Sequence, residues 1–526
     1  MKNRILVLSV VMLLALSLVA IGCPRPVVEL PVDPKIGGTL VIVIGAQPEA
    51  LDTIRMASSP AATVSQHITE PLVYLGVDGT LNPSLAESWE VSPDGLVWTL
   101  QLRQGVKFHD GTPFNAEAVK FNLDRFLDPA NRAPFRFLIA AITEVEVAGE
   151  YSVRLHLRAP FAPMLAHLSH SFIGMLSPTA VKALPAGALV EHPVGTGPFK
   201  IAEWLRGERI VLERNEGYWG KVPYLDEVIF KFVPEPGARL AMLEAGDAHA
   251  TMFVPPMDVP RLEADPAIDV VHQTSVRVIY IGFNPFIEPF DDVRVRQALN
   301  YAVDKQAIVE FILGGTGRAS DAPLVPAVFG HHAAGPYEFN PERARQLLAE
   351  AGFPDGFRTI LYHPTGRYMK DVAVIEAVQA MLREVGVEAE LRTMEWAAYL
   401  AFLRKPPQEA THPMYMLGWG TPTLDADYSL FPLLHSSQWP PAGWALSFYK
   451  NVDVDRILDE ARITPDLTRR RALYKEAIEL IWHDAPWIFL HDELQINAVR
   501  TGVHGLIHHP VERIEAWEAW IEADAR

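Results

Sequence analysis

The sequence predicts a mixed α/β protein with more than one domain, and three observations support that fold class. The chain has 526 residues, of which 49% are apolar, so it is long enough to bury several cores. A β-branched run at residues 39–47 and an alternating run at residues 98–103 predict strands. Further along, helical and extended patterns alternate, which is typical of a mixed sheet with flanking helices.

The early part of the chain predicts an α+β insert. Residues 71–111 contain short alternating strands that are separated by the turn sequences VDGTL, SPDGL and HDGTPF. Asn115 is the predicted N-cap of a helix with the sequence AEAVKFNLDRFL, because its side chain accepts hydrogen bonds from free backbone N–H groups. Residues 145–157 predict a pair of strands that would complete this region.

The later part predicts helices and strands in series. Asn340 followed by Pro341 is typical of a helix start, and Gly352 is typical of a helix end. The predicted helices cover residues 239–243, 292–302, 305–313, 342–351, 372–385 and 467–483, and the predicted strands cover residues 225–233, 279–284, 387–392, 487–490 and 494–499.

Composition and missing motifs exclude several function classes. The chain has 46 Lys and Arg against 64 Asp and Glu, and this net charge of −18 argues against binding a nucleic-acid backbone. A single cysteine excludes an intramolecular disulfide framework and Cys-based metal sites. G-x-S-x-G, H-E-x-x-H and G-x-x-x-x-G-K-[ST] are all missing from the sequence, so a secreted hydrolase is only a distant alternative and no cofactor is predicted.

The N-terminus predicts export and membrane attachment. Lys2 and Arg4 precede an apolar run at residues 5–20, which is short for a membrane span and typical of a signal peptide. The run ends in Ala-Ile-Gly before Cys23, which resembles the lipobox of bacterial lipoproteins and implies lipidation of Cys23. The alternative is an ordinary signal peptide with an incidental cysteine. Residues 24–37 are proline-rich and predict a tether to an extracytoplasmic body.

Several long motifs occur in an order typical of one family. They are GGTLVIVIGAQPEALD, VGTGPFKIAEWLRGERIVLERNEGYW, FDDVRVRQALNYAVDKQAIV and FNPERARQLLAEAGFPDGF. Together they resemble the bacterial extracellular solute-binding proteins of family 5, the peptide/nickel class that serves ABC importers. The late stretch DADYSLFPLLHSSQWPPAGWALSFYKN is most similar to the binding proteins of glutathione importers.

This resemblance implies a two-lobed, periplasmic-binding-protein-like fold with an extra α+β subdomain and a cleft between the lobes. Lobe I would comprise residues 38–65, 192–278 and 488–526, the subdomain residues 66–191, and lobe II residues 279–487. The implied function is capture of peptides by hinge closure and delivery to a membrane permease, without catalysis and as a monomer. Glutathione or a nickel chelate is the alternative cargo.

The resemblance also implies candidate ligand-binding residues in the loop GWGTPTLDADY. Trp419, Gly420 and Thr421 are expected to line the cleft. Related peptide binders place an Asp that binds the ligand ammonium three residues after this Trp, where the present chain has Pro422. Asp425 and Asp427 are alternative ammonium ligands, or they cap the helix or turn that follows.

Three further residues are candidates for the site. Arg367, in HPTGRYMKD, matches the Arg that meets the ligand carboxylate in dipeptide-binding relatives; alternatively it is a solvated loop residue. Tyr280 and Asn284 flank a strand and would hydrogen-bond a ligand amide, although Tyr280 also fits a core position. The doublets at residues 331–332 and 508–509 do not predict a metal site, because they lack i, i+4 helical spacing and an accompanying carboxylate cluster.

Overall fold

The computed structural model describes residues 35–184, 191–365, 367–394 and 396–522. Cys23, the predicted signal peptide and nearly all of the predicted tether lie outside these ranges. Among the helices in the described ranges, none combines the length and the apolar character needed to cross a membrane.

A small α+β region follows the first strand and the first helix. The elements are β1 (Thr39–Ile44), α1 (Ser59–Ser65), β2 (Val73–Leu75), β3 (Leu81–Pro83), β4 (Ala86–Val91), β5 (Val97–Leu102), α2 (Ala116–Leu127), β6 (Ile142–Gly149), β7 (Ser152–Leu157), α3 (Met164–Leu168) and α4 (Pro178–Ala183). β4, β5, β7 and β6 form an antiparallel sheet in that order, and α2 packs on it. The predicted cap is confirmed, because the Asn115 side chain accepts a hydrogen bond from the N–H of Ala118 at 3.1 Å.

The chain then returns to the sheet that contains β1. The next elements are β8 (Phe199–Leu205), β9 (Arg209–Arg214), β10 (Glu227–Phe232), α5 (Pro236–Ala245), β11 (Ala250–Thr251), α6 (Val259–Glu263) and β12 (Ile268–Phe283). β10 and β11 both pair with β1 in parallel, and β9 and β8 extend the sheet in antiparallel fashion.

The remaining chain alternates helices and strands, as predicted. Its elements are α7 (Val293–Ala302), α8 (Lys305–Ala307), β13 (Gly317–Ala319), α9 (Pro341–Glu350), β14 (Phe357–Pro364), α10 (Asp371–Glu384), β15 (Val387–Met394), α11 (Trp396–Leu403), β16 (Met414–Gly420), α12 (Asp427–Leu434), α13 (Val452–Ile463), α14 (Leu467–Asp484), β17 (Trp487–Arg500), β18 (Val503–His504), β19 (Ile507–His509), β20 (Arg513–Glu515) and β21 (Trp520–Ile521). Asn340 caps α9 as predicted, accepting from the N–H of Arg343 at 2.9 Å.

Two long strands join the two halves of the molecule, which are the β14–β16 side and the β1 side of the main sheet. The main sheet has the order β15-β14-β16-β12-β17-β11-β1-β10-β9-β8, with β13 also paired to β17. β12 has 16 residues and β17 has 14, and they pair with each other between the β14–β16 side and the β1 side. The prediction of two separate late strands at 487–490 and 494–499 is wrong, since β17 is continuous through the polar residues between them.

The hydrophobic clusters divide in the same way, because the β1 side and the β14–β16 side of the sheet have separate clusters. Leu40 of β1 and Phe230 of β10 share a buried cluster with Ile514 and Ile521 from the end of the described chain. The small α+β region has its own core, and two further cores lie against β14, β16 and the central strands. The late strands β20 and β21 therefore pack with β1, although more than 450 residues of sequence lie between them.

Candidate functional site

A bulge in β12 aims a charged side chain into the space between the two halves. The pairing of β12 with β17 shifts register between Thr274 and Val278, so the intervening residues leave the regular ladder. Such bulges re-aim side chains and are over-represented next to active sites. The Thr421 N–H instead donates to the Val276 carbonyl at 3.1 Å, which brings the loop after β16 to the bulge.

Arg277, at this bulge, is the centre of a buried ionic group. It forms a bidentate ion pair with Glu512, with Nε–Oε1 at 2.9 Å and Nη2–Oε2 at 2.7 Å. Its Nε also lies 3.3 Å from the Oε2 atom of Glu493 on β17. The Ser59 hydroxyl, at the start of α1, donates to Glu512 at 3.2 Å. Four chain segments that are remote in sequence therefore meet at one point, which we call the cleft floor.

The two carboxylates of the cleft floor differ in how well they are neutralised. Burial raises the pKa of Glu512, but the adjacent charge and hydrogen bonds of Arg277 lower this pKa by more than burial raises it. The net shift is therefore downward. Burial also raises the pKa of Glu493, and the charges of Arg277 and Arg367 offset this rise only in part because the charge of Glu512 adds to it, so the net shift is upward. Glu512 is thus a satisfied partner of Arg277, whereas Glu493 keeps spare acceptor capacity.

Arg367 lies on a fixed loop at the edge of this group. Its backbone N–H donates to the Asp371 carboxylate at 2.8 Å, and the neighbouring Tyr368 hydroxyl donates to the Gly418 carbonyl at 3.3 Å. The Arg367 side chain is exposed, and its guanidinium lies 5.0 Å from the ring centres of Tyr368 and Trp396. In the described part of the chain, Arg367 has no ion pair within 4 Å, but its positive charge lowers the pKa of both Glu493 and Glu512.

Trp419 and its two successors meet the cleft floor. The Trp419 ring is half-buried between Tyr428 and Trp444, with ring centres 5.9 and 5.7 Å away. Its indole N–H is buried and has no hydrogen-bond partner among the described residues. Gly420 lies directly opposite Arg277 in the sheet. The structure thus places Trp419, Gly420 and Thr421 next to one another at the bulge, and the loop of Arg367 contacts the preceding Gly418.

Aromatic residues of the small α+β region form a largely buried wall behind Trp419. The Tyr428 ring stacks on His170 with centres 6.0 Å apart and contacts Phe137 at 5.8 Å. His170 in turn stacks on Phe135 at 5.9 Å. Tyr428 comes from α12 and its neighbours come from the small region, so the wall spans two parts of the fold. Apolar rings around a few polar groups are the usual construction of a small-molecule site.

Asp425 and Asp427 are engaged in structural contacts. Asp425 forms a buried ion pair with Arg470 at 2.7 Å and accepts the backbone N–H of Asp427, the first residue of α12, at 3.0 Å. Asp427 is 3% exposed and lies 3.0 Å from Arg462 and 3.5 Å from His167. Both acids are therefore engaged with other residues of the protein. A ligand ammonium would have to displace an existing partner at either position.

Tyr280 and Asn284 lie away from the cleft floor, which corrects their expected place in the site. Tyr280 is 1% exposed and stacks on Trp487 with ring centres 3.9 Å apart, inside the core. Asn284 follows the far end of β12, since Phe283 opposes Met414 while Arg277 opposes Gly420. Six residues of strand separate these ends by about 20 Å. The Asn284 side chain instead accepts the N–H of Phe286 at 3.0 Å.

Sequence reasoning missed Arg277, Glu493 and Glu512. A weak signal exists for two of them, because charged residues interrupt largely apolar strand sequences, TSVRVIYIGF and WIFLHDELQINAV. A charged residue inside a buried strand needs a partner. Nothing in the sequence shows that these partners are each other, because residues 277 and 512 lie 235 positions apart.

The histidine doublets are used in separate contacts. His331 lies 3.3 Å from Asp321 and His332 lies 3.3 Å from Glu479. His508 contacts Asn497 at 3.0 Å, and His509 contacts the Leu75 carbonyl at 3.0 Å. Within the described ranges, no group of three or more His, Cys, Asp or Glu side chains is arranged to hold a metal ion.

A two-lobed body whose lobes are joined by crossing strands, with ionic and aromatic groups between them, defines a binding protein with a cleft. The model of the bacterial extracellular solute-binding proteins, family 5 Middle, matches residues 80–441. The chain belongs to this family, whose members are extracellular by that description.

Individual relatives give the same result. The glutathione-binding protein GsiB of Pectobacterium atrosepticum is 34% identical over 487 residues, covering 91% of this chain and 93% of the relative. The periplasmic binding protein DppA of Helicobacter pylori, solved with the peptide STSA, has a TM-score of 0.81 at 29% identity and covers 93% of this chain and 99% of its own. NikZ of Campylobacter jejuni, solved with Ni(L-His), has a TM-score of 0.77 at 26% identity and covers 90% and 97%.

Proposed function

We propose that this protein is the substrate-binding receptor of an ABC importer and that its cargo is a peptide or a peptide-like molecule. One observation carries the proposal: the cleft floor and its edge combine two guanidinium groups with two carboxylates, beside an unpaired indole N–H. A peptide offers an ammonium, a carboxylate and amide groups, which match these partners. The receptor binds and releases its cargo without a chemical step.

The expected mechanism is hinge closure about β12 and β17. We propose the division of the chain into lobe I (38–65, 192–278 and 488–526), an extra subdomain (66–191) and lobe II (279–487). The shared core of β1 with the end of the described chain supports it. A ligand that contacts both lobes binds the closed state better and shifts the population toward it. The closed form would then be the one that the permease accepts.

Glutathione is the second candidate cargo. The 34% identity to glutathione-binding proteins over most of both chains favours it. Pro422 also favours glutathione, because it stands where related peptide binders place the Asp that binds the ligand ammonium. A nickel chelate is less well supported, because the four histidines of the two doublets are engaged in separate contacts.

Calorimetry of the mature protein with di-, tri- and tetrapeptides and with glutathione tests the proposal directly. Binding heat or a rise in melting temperature with at least one of these probes is the expected result. Replacing Arg367 by Ala should weaken binding by at least about 1.5 kcal/mol, or roughly tenfold, because a charge-assisted hydrogen bond is lost. Arg358→Ala is the matched control, since that side chain is 86% exposed on the same lobe. The absence of heat with every probe would reject the peptide class.

We propose that Cys23 carries the lipid that holds the receptor at the membrane. Two or more acyl chains give stable anchoring, whereas one chain binds only marginally. Radiolabelled palmitate should label the wild type and should not label Cys23→Ser. Labelling that persists in the variant would reject the anchor, and it would leave the cargo proposal untouched.

A further inference from the structure

The free ammonium of a peptide needs a carboxylate with spare acceptor capacity inside the cleft. A buried charge is tolerated only where it is paired and hydrogen-bonded. Four acids lie near the loop after β16 or at the cleft floor, namely Asp425, Asp427, Glu493 and Glu512. Their existing contacts decide which of them is free to receive a cation from the ligand.

Three of these acids are already matched to a cation of the protein. Asp425 pairs with Arg470 at 2.7 Å, and the two side chains are 9% and 2% exposed. Asp427 lies 3.0 Å from Arg462 without forming a hydrogen bond to it, and at 3% exposure it is closed to a ligand. Glu512 receives both a bidentate contact from Arg277 and a hydrogen bond from Ser59. Using any of these acids for a ligand would leave a cation of the protein without its partner, which is costly in a buried site.

Glu493 differs from the other three. Its only ion pair in the described ranges is a 3.3 Å contact with Arg277, whose guanidinium is already aligned with Glu512. Its side chain is 16% exposed to solvent, so a small group can reach it. Burial raises its pKa above the ordinary value because its negative charge is incompletely compensated. A ligand cation at this position would neutralise the part of the negative charge of Glu493 that the protein leaves uncompensated.

We infer that Glu493 receives the primary ammonium of the ligand while Arg367 binds the ligand carboxylate. The inference rests on the proposed function and specifies which end of the cargo is recognised by which residue. The backbone N–H of Met369, two residues after Arg367, interacts with Glu493, so the two groups flank one loop. Arg277 lies between Glu493 and Glu512, and a ligand that carries one ammonium and one carboxylate adds no net charge to this group.

The position of Glu493 also connects recognition to closure. It lies on β17 beside the bulge of β12, where the two halves of the molecule join. Arg367 lies on the loop between β14 and α10 of the second half. A ligand bound to both Glu493 and Arg367 links β17 to the loop between β14 and α10. It therefore stabilises the arrangement in which this strand and this loop are close together.

Titration calorimetry with matched ligands tests the inference. The probes are trialanine and glutathione, each with a free amine and as the N-acetyl derivative, and the proteins are the wild type, Glu493→Gln and the control Glu390→Gln. Glu390 lies exposed on β15 and pairs only with Arg392 in the described part of the chain. We expect N-acetylation to weaken binding to the wild type at least tenfold. Glu493→Gln should weaken binding of the free-amine probe at least tenfold and change binding of its N-acetyl derivative less than threefold.

The outcomes separate this inference from the proposed function. Equal binding of free and acetylated probes by the wild type, or equal losses for both probes in Glu493→Gln, would overturn the assignment of Glu493 and leave the peptide receptor standing. No binding of any probe to the wild type would overturn both. If Glu493→Gln melts far below the wild type, Glu493→Asp keeps the negative charge and should still prefer the free amine. Loss of that preference in a folded Glu493→Asp would also count against the assignment.

Discussion

The ion pair between Asp425 and Arg470 offers a sharp test of whether Asp425 is structural or ligand-binding. Asp425→Asn keeps the shape of the side chain and an oxygen that accepts the Asp427 N–H. It removes the charge that faces Arg470, whose side chain is 2% exposed. An uncompensated buried charge costs about 3–5 kcal/mol. Since Asp425 lies outside the cleft floor, we expect ligand affinity to change less than threefold.

The assay combines thermal melting with titration calorimetry. A loss of 3–5 kcal/mol should lower the melting temperature by at least about 6 °C in a lobe of this size. Combining Asp425→Asn with Arg470→Met removes both charges and should recover most of the loss, because apolar replacement of a buried ion pair is often neutral. Asp453→Asn is the control, since its side chain is 66% exposed on α13 and should cost no more than about 0.5 kcal/mol.

The reasoning would be refuted by the opposite pattern. An unchanged melting temperature of Asp425→Asn, together with a tenfold or greater loss of affinity for free-amine peptides, would return Asp425 to the ligand site. It would also remove the argument that assigns the ammonium to Glu493.

Three further predictions concern the cleft and the buried titratable groups. Trp419→Phe should weaken peptide binding about three- to tenfold in calorimetry, because one neutral hydrogen-bond donor is lost, while the melting temperature stays the same; an unchanged affinity would mean that the ligand does not use this N–H. Tyr280→Phe should leave affinity within twofold, since the ring is in the core, and a larger loss would place its hydroxyl in the site. The melting temperature should rise as the pH increases from 5 to 6.5. Burial raises the pKa of Glu70 and Glu515 to about 7 and that of Asp492 to about 6, so these three carboxyls stabilise the folded state less as the pH rises, whereas seven buried histidines stabilise it more as the pH rises toward 6.5. Burial lowers the pKa of each of these histidines to about 3 or 4. They are His67, His109, His170, His412, His491, His508 and His509. The seven histidines outweigh the three carboxyls at about 1.4 kcal/mol per pH unit each, so a melting temperature that rises as the pH falls from 6.5 to 5 would contradict the assignment.

Local elements were predictable because their signals are local. The cap at Asn115 and the helix start at Asn340 depend on side chains that bond to backbone N–H groups three residues away. A nearby pattern is enough to predict such contacts. The late strand was divided wrongly, because the polar residues inside β17 resemble a turn but form ion pairs and hydrogen bonds within the fold.

The candidate site was predictable only where one loop carries it. Trp419, Gly420 and Thr421 are consecutive, and the structure keeps them together at the bulge. The acids near them were interpreted too freely, since the sequence does not show that Arg470 and Arg462 return from later helices to neutralise Asp425 and Asp427.

The sequence by itself determined the fold class, the family and most of the local elements, because hydrophobic period, caps and long ordered motifs are properties of neighbouring residues. Only the tertiary structure decided which charges meet. Arg277, Glu493 and Glu512 come from two crossing strands and a late segment, and their pairing depends on a bulge and on sheet register. Electrostatic matching acts through space, so the acid left with spare capacity is visible only after the chain has folded.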